Sequence, residues 1–186
     1  MASDRLTDVL DAAYECLARY GTRRTTMDDI ASSMGVSRSA VYQYVRNKDE
    51  AFRLLAERLH ARALDRAGRA AAADLPPARR IEGIAAAKFA LERPLSEHSP
   101  HTAELVDERA RLFGGICQAF TADLRALFSG VFAEAGTRSG LGPGEAAEIC
   151  LALVKGLESA PGGEDLLRPA VRVLAEGLLA PAGART

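Results

Sequence analysis

Apolar residues recur at intervals of three and four along most of the chain, which is the periodicity of amphipathic helices. Leu6, Val9, Leu10 and Ala13 give the first example, with charged residues on the opposite side of the predicted helix. Gly21 follows this segment and predicts its carboxy-terminal cap. The same spacing predicts further helices, which cover about 27–34, 38–45, 48–74, 78–91, 145–159 and 164–179.

A long apolar stretch lies between residues 105 and 131, and small or cyclic residues interrupt the helical pattern in and before it. Gly114-Gly115 predicts a division of the stretch into two helices, because glycine is a poor helix former. Pro94 and Pro100 predict an irregular connection over residues 92–101. Together these patterns predict about nine helices and no strand, so the expected fold class is all-α.

Three helix starts follow one another closely between residues 26 and 50. Thr26 is placed to cap the first of these helices, with Asp29 three residues later as the partner in a capping box. Ser37 is placed to cap the second helix, and Asn47 the third, with Glu50 three residues beyond it. Two short helices therefore flank a turn at residues 35–37, and a longer helix follows them.

This arrangement satisfies the steric demands of a helix-turn-helix. The two helices of that motif cross so closely that a small inward residue is needed on the first, and the turn favours a residue that tolerates positive φ. Ala31 meets the first demand and Gly35 the second. Ile30, Val36 and Val41 supply the apolar side chains that must face inward. The amino-terminal part is thus predicted to be a three-helix bundle that contains a helix-turn-helix.

The second helix of this motif is expected to expose side chains that suit the major groove of DNA. Arginine bonds guanine, glutamine bonds adenine, and serine accepts several bases, which makes Arg38, Gln43 and Ser39 the candidate base contacts. Nearby residues are of types that bind phosphate, namely Thr25, Thr26, Ser37, Tyr42, Tyr44 and Lys48. Core packing is the alternative for the two tyrosines, and a solvated helix start is the alternative for Lys48.

Charge and composition restrict how the chain can bind DNA. The net charge is −1, whereas residues 21–48 contain five basic and two acidic side chains, so DNA binding must be local. The composition, 48% hydrophobic and 26% charged, is that of a folded globular protein.

Cys16, Cys117 and Cys150 lie in apolar helical contexts and are expected to be buried free thiols. No signal peptide and no apolar run near the ~20 residues of a membrane span is seen, which predicts a cytoplasmic protein.

The motif resembles the signature of the TetR (tetracycline repressor) family. Residues 26–31 read Thr-Met-Asp-Asp-Ile-Ala, and residues 35–50 read Gly-Val-Ser-Arg-Ser-Ala-Val-Tyr-Gln-Tyr-Val-Arg-Asn-Lys-Asp-Glu. Two departures keep the chemistry of the pattern: Val45 stands in place of the usual phenylalanine, and Asp49 stands where glutamate is frequent. The resemblance covers roughly residues 5–55, and the remainder matches in length and helix order.

The resemblance implies a domain organisation and a mechanism. Residues 1–48 would form the helix-turn-helix DNA-binding domain, and residues 49–186 a helical domain for effector binding and dimerisation. A homodimer would place two recognition helices in successive major grooves of a palindromic double-stranded operator. A small-molecule effector would then move the fourth helix and change the separation of the two DNA-binding heads. The implied function is a ligand-responsive repressor, with no catalytic residues, no cofactor, no metal and no membrane partner expected.

The resemblance also places the dimer interface on the last two helices, which would pair with their copies as a four-helix bundle. Apolar residues on two sides of these helices agree with burial against both the core and a partner. The candidate interface residues are Leu151, Val154, Leu167, Val171 and Leu174.

An effector pocket is expected between the central helices, and its ligand is expected to be apolar or aromatic. The candidate lining residues are Phe89, Arg93, His101, Phe113, Ile116, Cys117, Phe120 and Leu124. Ordinary core packing is the alternative for the apolar members. The spacing of His98, His101 and Glu104 also admits a metal site, but Pro100 interrupts any common helix face, and we expect no metal.

Two other functional classes fit parts of the sequence. In the first, the carboxy-terminal half of a DNA-binding protein only dimerises or docks a protein, and the core of residues 78–160 is filled. In the second, the chain is a helical enzyme with an incidental helix-turn-helix, which requires a polar cluster with perturbed pKa values in the pocket. The sequence contains no nucleophile in a catalytic motif and no glycine-rich phosphate loop after a strand.

Overall fold

The computed structural model describes the backbone of residues 2–98, 102–138 and 140–180, and the side chains of residues 4–91, 114–138 and 140–180. Within these ranges the fold is all-helical, as predicted, and an isolated antiparallel bridge pairs Thr137 with Leu179. The eight helices in this part of the chain are α1 (Ala2–Arg24), α2 (Met27–Ser33), α3 (Arg38–Val41), α4 (Lys48–Ala71), α5 (Pro77–His98), α6 (Thr102–Ala135), α7 (Pro143–Glu158) and α8 (Gly163–Leu178). None of them is long and apolar enough to cross a bilayer.

The predicted division at Gly114-Gly115 is wrong, because α6 continues through both glycines as one helix. An interior glycine costs a helix about 1 kcal/mol relative to alanine. The helix after the pair buries Phe120, Leu124 and Phe128 almost completely. Each such side chain contributes about 1.5–3 kcal/mol on burial, which exceeds the cost of the two glycines.

The predicted irregular connection over residues 92–101 is also wrong in its first part. Helix α5 continues through Pro94 and ends at His98. A proline removes one backbone hydrogen-bond donor from the helix. The helix still continues, because extending an existing helix costs much less free energy than nucleating a new one. The next described residue is Thr102, where α6 begins.

The chain forms two compact units. The first comprises the described residues of Met1–His60 and Arg93–Cys117, and the second those of Ala61–Glu92 and Gln118–Thr186. The first unit has a core to which α1 contributes Val9 and Leu17, and α4 contributes Phe52 and Leu55. This core therefore extends past the predicted domain boundary at residues 48/49, and the division into functional domains stays a prediction.

The second unit has a separate core built from the second half of α4 and from α5, α6, α7 and α8. Its central side chains include Ile84, Phe128 and Val154, none of which is exposed. The Lys88 ammonium donates to both carboxylate oxygens of Glu158 at 2.6 and 2.7 Å, and both side chains are largely buried. This pair joins α5 to the end of α7.

A second ionic contact joins α5 to α8 in the same unit. The carboxylate of Glu82 accepts hydrogen bonds from Arg79 and from Arg172, each at 2.8 Å. Burial tends to raise the pKa of Glu82, but the two arginine hydrogen bonds outweigh it and hold that pKa below the ordinary value. Glu82 therefore stays ionised and keeps both contacts at neutral pH.

Two of the three predicted buried thiols are confirmed. Cys16 and Cys150 are buried and free, and burial raises their pKa values to about 11 and about 12 respectively. Cys117, by contrast, is only half-buried, and its sulphur lies 3.8 Å from Nε2 of His60.

The start of α8 leaves no space for a side chain at Gly163. A Cβ atom there would lie 1.9 Å from the carbonyl oxygen of Leu157 at the end of α7. We expect Gly163→Ala to lower the free energy of unfolding by about 1–3 kcal/mol, because backbone must move to relieve the overlap. Urea denaturation measures this change.

Gly130→Ala on α6 is the matched control, since a Cβ at that position meets nothing within 4 Å. Its effect should be a gain of up to about 1 kcal/mol from higher helix propensity. Equal effects of the two substitutions would contradict the close α7–α8 approach.

Candidate nucleic-acid interface

The turn between α2 and α3 has the geometry that the sequence predicts. Gly35 has a φ of 64°, in the left-handed region that disfavours residues with a side chain. The amide of Val36 donates to the carbonyl of Ala31 at 3.0 Å and closes the turn. Ile30 and Val41 are fully buried on either side of it. The two short helices are thus held in a fixed crossing by a tight turn and a common core.

Helix α2 begins with the predicted capping box. The Thr26 hydroxyl accepts from the amide of Asp29 at 3.2 Å, and the Asp29 carboxylate accepts from the amide of Thr26 at 2.8 Å. The hydroxyl of Thr26 also donates to that carboxylate at 2.7 Å, although the side chain is exposed. Thr26 therefore orders the start of α2 and lies at the surface of the same unit.

The start of α3 and the turn that follows it expose most of the predicted DNA-contacting side chains. Ser37, Arg38, Ser39, Tyr42 and Gln43 are all exposed, and Tyr42 is 41% exposed despite its size. The regular helix is only four residues long, Arg38–Val41, and further backbone hydrogen bonds continue its path to Val45. We call these five exposed residues the α3 surface.

Ser37 has a capping role within the α3 surface, as predicted. Its hydroxyl oxygen accepts from the amide of Ala40 at 3.3 Å and lies 2.9 Å from the hydroxyl of Ser39. Both serines remain exposed beside these contacts. Two small polar groups thus form part of the surface without filling the space a base edge would need.

Arg38 is held by two neighbours. Its Nη1 donates to Asp28 at 3.0 Å, its Nη2 donates to the Tyr42 hydroxyl at 2.9 Å, and its guanidinium lies 5.4 Å from the Tyr42 ring centre. The hydrogen bond to Tyr42 and the charge of Asp28 raise the pKa of Arg38 further above its ordinary value. The arginine is therefore charged, ordered and exposed.

Thr25 does not belong to this surface, although it was predicted to contact phosphate. It is fully buried, and its hydroxyl donates to the carbonyls of Cys16 at 3.1 Å and Gly21 at 2.6 Å. Gly21 has a φ of 76° and interrupts the regular path of α1, which leaves its carbonyl available to this side chain. Thr25 thus supports the segment that precedes α2 instead of facing solvent.

Lys48 also has internal partners, which differs from the predicted phosphate contact. Its ammonium donates to the carbonyls of Thr22, Arg23 and Thr25 at 3.0, 3.1 and 3.2 Å. An ammonium has three N–H donors, and all three are used here. Lys48 therefore ties the start of α4 to the segment that leads into α2.

Tyr44 occupies an intermediate position between the two alternatives considered for it. It is half-buried and packs against the core of the first unit, next to fully buried Val45. Val45 replaces the phenylalanine of the family pattern and still fills a core position.

Three residues of this region were not singled out by the sequence. Asp28 holds Arg38, and Arg24 and Arg46 are exposed cations on either side of α2 and α3 in the chain. The local excess of basic residues is the signal that points to Arg24 and Arg46. No sequence spacing rule predicts the Asp28–Arg38 contact, because it depends on how the turn orients the two helices.

Comparison with known proteins agrees with this geometry. The family model for bacterial regulatory proteins of the tetR family matches residues 9–58. The HTH-type transcriptional regulator TtgR from Pseudomonas putida is 36% identical over 59 residues, which are 32% of this chain and 28% of TtgR. The match thus spans less than a third of either protein. Residues 9–58 of the chain are therefore similar to the matching segment of bacterial regulators of the tetR family.

Solved structures extend the likeness to the fold of most of the chain. The SmeT–triclosan complex, SmeT being a repressor from Stenotrophomonas maltophilia, has a TM-score of 0.67 at 23% identity, covering 97% of this chain and 94% of SmeT. FadR from Bacillus subtilis in complex with stearoyl-CoA has a TM-score of 0.66 at 16% identity, covering 91% and 95% of the two chains. These values show a common helical architecture.

The second unit places the predicted interface residues differently from the prediction. Leu151, Val154, Leu167 and Val171 are buried in the core of the single chain, and Leu174 is half-buried at its edge. The reason is helical phase, since the buried positions of α7 and α8 recur at intervals of three and four. The opposite side carries an exposed groove that we call the α7–α8 apolar face, lined by Ile149, Leu153, Leu166, Pro169, Ala170, Val173 and Leu174.

The predicted pocket residues fall into three groups. Phe89, Phe120 and Leu124 belong to the core of the second unit, whereas Ile116 and Cys117 pack against the core of the first. The side chains of Arg93, His98, Glu104 and Phe113, and all of His101, lie outside the described residues. A common pocket for these residues therefore stays a prediction. No cluster of three or more metal-binding side chains occurs among the residues with described positions.

The three carbonyl contacts of Lys48 generate a prediction about stability. Lys48→Gln should lower the free energy of unfolding by about 1.5–3 kcal/mol, the usual range for hydrogen bonds to a charged group. Exposed Lys155 on α7 provides the control, and Lys155→Gln should change stability by less than about 0.5 kcal/mol. Urea denaturation of both variants makes the comparison.

The opposite result for these two variants would support the phosphate contact that the sequence predicts for Lys48. Unchanged stability of Lys48→Gln, together with a salt slope of DNA binding lower by about one unit, would identify Lys48 as a phosphate contact.

Proposed function

We propose that the chain is a DNA-binding transcriptional regulator that acts as a ligand-responsive repressor. The observation that carries this proposal is the α3 surface, where a tight turn is followed by Arg38, Ser39 and Gln43, all exposed within six residues of the chain. Arginine and glutamine can each form paired hydrogen bonds with a purine edge in the major groove. Thr26, Ser37, Tyr42 and Tyr44 are the proposed phosphate contacts beside them.

A homodimer is the second part of the proposal. The α7–α8 apolar face leaves Val173 70% exposed and Leu166 51% exposed, which costs free energy in a monomer in water. A second copy of the same face would cover these residues, and the TetR resemblance supports a partner on these two helices. Two α3 surfaces would then contact half-sites of a palindromic operator about 34–36 Å apart.

An apolar or aromatic small-molecule effector in the cytoplasm is the third part. The triclosan complex of SmeT and the stearoyl-CoA complex of FadR support a small-molecule ligand for this chain, and the TetR resemblance implies that the carboxy-terminal helices bind it. Coupling requires that the ligand bind two arrangements of the DNA-binding heads with different affinity. An effector would therefore be recognised by its effect on operator binding.

The direct test is a gel-shift assay on the DNA that flanks the chain's own gene, at two salt concentrations with nonspecific competitor. A salt-sensitive shift at dimer stoichiometry is expected, and its loss on adding a compound identifies an effector. Selection from random duplexes covers a distant operator. Failure to enrich any palindrome, with or without candidate ligands, would refute the regulator proposal.

Arg38 should determine part of the sequence preference. Arg38→Ala should reduce discrimination against a mismatched base pair by the ~1–3 kcal/mol that a paired guanine contact provides. Exposed Arg46 gives the control, since Arg46→Ala should weaken binding to all duplexes alike. Unchanged operator preference of Arg38→Ala would remove Arg38 from base recognition.

The dimer part predicts the effect of a charge on the apolar face. Val173→Asp should convert the dimer to a monomer in sedimentation or light-scattering measurements, because it buries an unpaired carboxylate in the interface. Leu75→Asp is the matched control, as Leu75 is 54% exposed but lies outside that face. A dimer that persists in Val173→Asp would show that another surface holds the copies together.

A further inference from the structure

Arg38 carries a counter-charge from within its own protein. Asp28, the second residue of α2, accepts from Nη1 of Arg38, the first residue of α3, at 3.0 Å. The contact crosses the turn of the helix-turn-helix. An acidic side chain is unexpected on a surface that approaches DNA, because its charge is repelled by the phosphates. Its contact with Arg38 therefore calls for a specific role.

The contact with Asp28 affects binding of Arg38 to a DNA phosphate differently from its binding to a base edge. Binding to phosphate draws its affinity from charge, since each neutralised phosphate releases counterions. A guanidinium that is already paired with a carboxylate adds little net charge and so releases few. A guanine edge instead presents two neutral acceptors, and it can bond N–H groups of a guanidinium whose charge is compensated elsewhere.

The remaining donors of Arg38 permit such a double contact. A guanidinium has five N–H groups, and the bonds to Asp28 and Tyr42 use one on Nη1 and one on Nη2. The side chains of Arg38 and Asp28 are 54% and 65% exposed, so the remaining donors of Arg38 are accessible from solvent while the contact with Asp28 is kept.

From these contacts we infer that Asp28 is a specificity-determining positioning residue, which rests on the proposed DNA-binding function. Asp28 keeps Arg38 from binding phosphates indiscriminately and reserves its donors for a guanine edge. Its effect is to weaken nonspecific binding more than operator binding. The ring and hydroxyl of Tyr42 hold the other side of the same guanidinium.

A double-mutant cycle separates this role from simple charge repulsion. Binding of the full chain to a duplex of unrelated sequence is measured by fluorescence anisotropy across about 50–200 mM salt. The proteins are the wild type, Asp28→Asn, Arg38→Ala and the double variant. Asparagine has nearly the shape of aspartate, and urea denaturation of all four confirms that they are folded.

The expected result is a background-dependent change in salt slope. With Arg38 present, Asp28→Asn should steepen the dependence of log K on log salt by about 0.9, the value for one additional phosphate contact. With Arg38→Ala, the same substitution should leave the slope nearly unchanged. The ratio of operator to nonspecific affinity should fall severalfold in Asp28→Asn alone.

Other outcomes overturn the inference. Equal changes in both backgrounds would make Asp28 a general negative charge near the DNA, and no change in either would show that Asp28 does not restrain Arg38. These results leave the proposed function intact if the wild type still selects an operator. A wild type that binds no DNA refutes both.

Discussion

The close crossing of α2 and α3 is the constraint on which the DNA-binding unit depends. Two helices of seven and four residues are too short to be stable alone, so their packing must hold them. Ile30 and Val41 provide that packing, and the left-handed backbone at Gly35 brings the helices together. Because one side of α3 is fixed by this burial, its other side must face solvent, and the α3 surface follows from the core.

Local features of this unit could be predicted from sequence because they depend on residues close together in the chain. The Thr26 capping box, the Ser37 cap and the positive φ at Gly35 all arise within a few residues. Helix interruptions were less predictable. Gly114-Gly115 was expected to end a helix, yet burial of Phe120 and residues beyond it outweighs the local preference.

Contacts between residues far apart in the chain are the part of the candidate site that the sequence does not predict. Lys48 bonds carbonyls more than twenty residues earlier, and the burial of Thr25 depends on where Gly21 turns the chain. Residue type does not predict these internal contacts, because lysine and threonine are both residue types that bind phosphate. Most of the residues predicted for a dimer interface on α7 and α8 instead lie in the core of the second unit, since the sequence does not say which apolar side of either helix packs inward.

The core of the first unit affects where DNA-binding domains could be exchanged between related regulators. Phe52 and Leu55 of α4 are part of that core, and Lys48 is bonded to the segment before α2. A chimaera joined at residue 47 would therefore separate the helix-turn-helix from side chains that complete its interior. A junction after His60 would transfer Phe52, Leu55 and Lys48 with the helix-turn-helix, whereas Ile116 and Cys117, which pack against the same core, would come from the other protein.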